Sequence, residues 1–159
     1  MKKISVIFLR AFILLIGIVA LFILIRFPLM EGRATKLDML SIYLDPLILY
    51  GYATSIAFFI ALYKAFKLLG YVGQNKVFSL ASLQTIRSIK HCAIALSVLI
   101  VAAGVYIRLF HDKADDPAGV LALCMVTTLI AIVAATTAAI FERVLQNGID
   151  IKSENDLTI

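Results

Sequence analysis

The sequence predicts an all-α integral membrane protein: a four-helix bundle of two antiparallel hairpins with both termini cytoplasmic. Three observations lead there. The chain of 159 residues is 62% hydrophobic and only 16% charged, with a mean hydropathy of +1.01, whereas a soluble domain is about half apolar and a quarter charged. A soluble fold of this size has too little interior to hide that much apolar surface. Four stretches approach the roughly 20 apolar residues needed to cross about 30 Å of hydrocarbon. The lysines and arginines fall unevenly on the two sides of those stretches. An ordinary soluble enzyme, a disordered tail and a nucleic-acid module are thereby excluded.

The first span covers residues 4–27, carries Arg10 near its start and Arg26 at its end as its charges, and stops at Pro28. It is longer than a signal-peptide core and no Ala-x-Ala site follows, so it reads as a retained helix. Arg10 lies about one and a half turns in, where its stem reaches the head groups. The second span, residues 46–63, opens on Asp45-Pro46, a capping carboxylate followed by a first-turn proline. Gly70, Gly73 and Asn75 then break that helix. Over residues 78–90 an amphipathic segment follows, with Ser79 as its cap, an apolar side of Leu80, Leu83, Ile86 and Ile89, and Arg87 and Lys90 on its polar side. It is expected to lie in the head-group plane before feeding the third span, residues 92–109. A short connection leads to the fourth span, residues 118–141. Asn147-Gly148 reads as a helix stop, which makes residues 142–159 a cytoplasmic tail. The whole chain is one transmembrane domain.

Orientation follows from the basic residues. The N-terminal end, the second connection and the tail hold ten lysines and arginines against four acids, a net +6; the opposite side holds five against six, a net −1. The pI of about 9.3 is thus a topology signal. Anionic membrane lipids are the expected partners of these charges, with no direct nucleic-acid binding. Tyr43, Tyr50 and Tyr52 bracket one end of the second span as interface anchors, and Tyr63 and Phe66 the other.

Small residues recur along the fourth span at Thr127, Ala131, Ala135 and Ala139, with Ala134 and Ala138 beside them; Ala53, Ala57 and Ala61 repeat the spacing in the second. Such faces bring helices together in lipid. They serve either a homodimer or packing within one chain, and four helices in one chain favour the latter. Arg26 with Asp45, and Arg108 with Asp116, are expected as ion pairs at the outer face, where arginine-ended helices precede Asp-Pro starts. Cys92 and Cys124 differ too much in depth for a disulfide. His111, Asp112, Asp115 and Asp116 match no established metal loop, and no cofactor, metal or catalytic residues are expected.

Phe78-Ser79 with Leu83 and Ile86 leading into the third span, together with the ending Glu154-Asn155-Asp156-Leu157-Thr158-Ile159, resembles the bacterial "domain of unknown function 2975" family. The resemblance covers nearly the whole chain. It implies a small multi-pass protein of the bacterial inner membrane without an established activity. Genes of that family frequently neighbour a helix-turn-helix regulator, which implies a cytoplasmic protein partner of that kind. The leading expectation is therefore a non-enzymatic regulatory or interaction protein contacting its partner through Phe78, Ser79, Leu83 and Ile86 and through Glu154, Asn155, Asp156, Leu157 and Thr158. The alternative is a small dimeric transporter or permeability factor, whose polar path would have to use hydroxyls such as Thr54, Ser55, Ser97, Thr127, Thr128, Thr136 and Thr137.

Overall fold

The computed structural model describes residues 3–30, 43–110 and 117–156. The described residues are all-α, with four long helices among them: α1 Lys3–Met30, α2 Pro46–Gly73, α3 Leu80–Phe110 and α4 Ala118–Asp156. Each is long and apolar enough to cross a membrane.

The start of α2 is as the sequence expects. The Leu47 N–H donates to Asp45 Oδ1 at 2.8 Å, and Pro46 occupies the first turn, where its missing N–H costs nothing. Its end is different. Gly70 and Gly73 stay helical, and the helix stops at Asn75, whose φ of 57° is left-handed. The Asn75 N–H donates to the Val72 carbonyl and the Lys76 N–H to the Tyr71 carbonyl, the paired bonds of a Schellman stop. Residues 80–90, expected to turn into the head-group plane, instead form the first turns of α3 with no break before Phe110. Asn147-Gly148 does not end α4, which continues to Asp156.

Helices pack only on their neighbours in the chain: α1 on α2, α2 on α3, and α3 on α4, with no other pair in contact among the described residues. Among the described residues nothing closes the expected bundle by packing α1 on α4. Contacts run in opposite chain order along each pair. Val6 meets Gly73, Arg10 meets Gly70 and Gly17 meets Leu62 between α1 and α2, while Gly104 meets Cys124 and Arg87 meets Glu142 between α3 and α4.

Small residues mark the closest approaches, because bare backbone lets helices approach in lipid. A Cβ at Gly104 would lie 3.6 Å from Cys124 Cβ, and Ala93 and Ala138 are buried. Thr127, Ala131, Ala135 and Ala139 are half-buried. Tyrosines tie helices together: the Tyr50 hydroxyl donates to the Leu99 carbonyl at 2.8 Å, and those of Tyr52 and Tyr43 to the carbonyls of Leu24 and Ile25 at 3.3 Å. The apolar faces along the spans remain exposed, as a bilayer solvent allows.

Candidate functional site

One end of the molecule gathers the end of α2, the turn after it, the start of α3 and the end of α4. Ser79 builds its corner. The Ser82 N–H donates to Ser79 Oγ, which caps α3, and the hydroxyls of Ser79 and Ser82 both donate to the Lys76 carbonyl at 2.8 and 2.9 Å. Ser82 is fully buried, so these bonds replace the water it has lost. Behind this corner Leu83, Ile86 and Leu145 form a core, with Leu68, Val77 and Ile149 packed on it. Phe78 lies across α4 at Gly148: a Cβ there would sit 2.5 Å from two ring carbons.

Charge joins the same helices one layer further along. Glu142 of α4 receives Arg87 Nε at 2.9 Å and Lys90 Nζ at 2.5 Å, both from α3. Those two hydrogen bonds, Lys90's first, hold the Glu142 carboxyl below the usual carboxylate range. Sequence reasoning placed Arg87 and Lys90 on a polar face and passed over Glu142. The available signal was its position as the first acid after the fourth apolar stretch, opposite two cations three residues apart. His91 Nδ1 lies 2.7 Å from the Arg87 carbonyl oxygen, which only accepts, so the proton sits on that nitrogen.

Arg10 is drawn into the α1–α2 contact. Its Nη2 lies 2.6 Å from where a Gly70 Cβ would be, its guanidinium carbon stands 5.1 Å over the Phe66 ring, and its Nε is buried without a hydrogen-bond partner among the described residues. Gly70 supplies room for this side chain; it does not break the helix.

The residues expected to meet a partner divide in two. Leu83 and Ile86, 4% and 6% exposed, are used by the internal core, and Ser79 is the cap. Phe78 keeps 53% of its surface exposed, and Glu154 is exposed on the last turns of α4. The side chains of Asn155 and Asp156, and Leu157 and Thr158 entirely, lie outside the described residues. Of the expected outer ion pairs, Arg26 stands over the Phe22 ring at 5.5 Å while Asp45 caps α2. Asp116, and with it the Arg108 pair and the His111–Asp116 cluster, lies outside the described residues. Cys92 and Cys124 are free thiols.

The comparisons with known proteins agree on family and stop there. The chain is 38% identical to the uncharacterized membrane protein YoaS of Bacillus subtilis (strain 168), over the full length of both. No solved structure matches it. The model of a family described as a protein of unknown function (DUF2975) matches residues 3–159, and with four apolar helices and a full-length membrane relative, the chain belongs to that family of membrane proteins.

Proposed function

We propose that this is a non-enzymatic regulatory or interaction protein of the bacterial cytoplasmic membrane, arranged as two hairpins with both termini and the basic end in the cytoplasm. In this reading that end is presented to a soluble partner, a helix-turn-helix regulator being the kind the family's gene neighbourhoods imply. One observation carries the reading. The side-chain core of Leu83, Ile86 and Leu145 lies past the charge-free stretches of α2 and α3, with Ser79 and Ser82 fixing its corner. A protein whose work lay inside the bilayer would have little need of a rigid head there.

The spans support the same choice. The hydroxyls of Ser55, Ser97, Thr127, Thr136 and Thr137 all donate to carbonyls of their own helices. Thr54 Oγ1 is buried without a hydrogen-bond partner among the described residues, but most of the hydroxyls a solute path would use are engaged locally, so the transporter reading stands second. The test uses the full chain in its membrane: crosslink, capture by an affinity tag at the N-terminus, and compare with a chain lacking residues 150–159. We expect the truncation to lose at least about nine-tenths of a soluble partner, the loss that removing about 1.4 kcal/mol of binding gives. Unchanged capture overturns the reading.

A further inference from the structure

Between α2 and α3, level with the end of the charge-free stretch of α2 at Leu62 and the start of that of α3 at Ala93, lies an open cavity of about 470 Å³. Lys64, Lys67 and Tyr71 line it from α2; Gln84, Arg87 and His91 line it from α3. Each set recurs at three and four residues, so each occupies one helix face. No carboxylate lines the cavity among the described residues. The Lys67 ammonium stands 6.0 Å from the Tyr71 ring centroid, which holds that charge beside the opening. Glu142 engages Arg87 through Nε, from α4, and so fixes the guanidinium from its other side. Thr85 and Ser88, also on the wall, give their hydroxyls to the Ala81 and Gln84 carbonyls. The cavity's donors are therefore two ammonium groups, a guanidinium and the polar ends of Tyr71 and Gln84.

Lys64 and Lys67 line the cavity with Arg87, whose Glu142 partner is shared with Lys90, so the cavity keeps a net positive charge that a bound anion would offset. Guanidinium and ammonium together suit the oxygens of a phosphate, the first by its planar fork and the second as a point charge. The level matters as well. On α2 and α3 the cavity opens where apolar sequence gives way to charge, the depth of lipid head groups, and basic pockets between spanning helices at that depth take anionic head groups. We propose that this cavity is a binding site for a phosphate-bearing anion, of the kind carried by an anionic phospholipid head group or a soluble phosphoester, with Lys64, Lys67 and Arg87 as its charged contacts. The site needs no soluble protein partner, so it stands apart from the function proposed above.

The experiment uses the full chain, delipidated in detergent and titrated in native mass spectrometry with phosphatidylglycerol and, separately, phosphatidylcholine. Phosphatidylglycerol is expected to bind in preference. The pair Lys64→Gln with Lys67→Gln is expected to lower that binding on the order of tenfold, and Lys64→Arg with Lys67→Arg to keep it. The control pair Lys76→Gln with Lys152→Gln, which removes the same charge outside the cavity, is expected to change it little. If the first Gln pair fails to fold, the single substitutions, each expected to cost a few-fold, replace it. A second arm compares thermal unfolding in inorganic phosphate and in chloride at equal ionic strength. A rise in phosphate that needs Lys64 and Lys67 extends the site to soluble phosphate; its absence beside selective lipid binding assigns the site to the head group. Equal binding of the two lipids, or phosphatidylglycerol binding indifferent to both lysines, overturns the proposal unless the phosphate arm shows the lysine-dependent rise.

Discussion

At Gly148 the backbone of α4 comes so close to the Phe78 ring that no side chain fits between them. Asn-Gly in a sequence suggests a helix end because glycine tolerates left-handed φ. The described glycines have no positive φ, and the left-handed residue is Asn75. Gly148 is there for lack of a side chain, a use that sequence alone cannot tell from conformational freedom. Gly148→Ala should therefore destabilise the protein by about 1–3 kcal/mol while Phe78 is present. In a Phe78→Ala background the same change should stabilise by up to about 1 kcal/mol, the helix preference of alanine over glycine. Thermal unfolding of the four proteins in detergent, read as a double-mutant cycle, checks the coupling. Glu142 gives a second prediction at this scale. Its folded carboxyl titrates below its unfolded value, so its contribution is full above the unfolded value of about 4.3 and is lost as pH falls through the folded one. Glu142→Gln should cost about 1 kcal/mol at neutral pH, and its melting curve should converge on that of the native chain as pH drops below the ordinary carboxylate range.

Among the elements, the positions and starts of the helices were legible and their continuations were not. Asp45-Pro46 and Ser79 mark their helices by local chemistry, a capping oxygen followed by free N–H groups, and such signals are complete within a few residues. The continuations depend on distant contacts. The α2 helix passes through Gly70 and Gly73 where Arg10 and Val6 approach it, and the amphipathic turns of α3 stay in line with the span because Leu145 and Ile149 of α4 cover their apolar side. Among the described residues α1 packs on α2 and on no other of the four helices. With Cys92 and Cys124 replaced by alanine, a chain carrying Val6→Cys and Gly73→Cys should form an intramolecular disulfide under mild oxidation, since Val6 Cγ1 lies 3.4 Å from the Gly73 Cβ position. Moving the first cysteine to Ile7, whose side chain is exposed, should abolish it; gel mobility with and without reductant reads the result.

For the whole molecule, composition and hydropathy carried the reading, since 62% hydrophobic residues leave a bilayer as the natural solvent. The lack of α1–α4 packing among the described residues was not legible, because a row of helices and a closed bundle have similar apolar patterns when lipid covers whatever protein does not. The candidate site was legible in part. Its basic residues and Ser79 stand out in the sequence, whereas its core and its acid, Glu142, emerge only when α3 and α4 are laid together. The charge imbalance makes a prediction at this scale: reporters fused after Lys76 and after Ile159 should both be active in the cytoplasm, and a reporter after Arg33 outside it. Paired alkaline phosphatase and fluorescent fusions score each site in opposite senses.

The unbroken run of α4 from Ala118 to Asp156 has one more consequence. Fifteen residues of rigid rod beyond Phe141 reach about 22 Å at 1.5 Å per residue, whereas a flexible tether of that length would wander. The acidic tip is thus carried like a pennant on a mast, at a set height and bearing from the last apolar turn. Any tilt of that rod swings the tip sideways in proportion, so small movements of a buried helix become larger displacements at its far end.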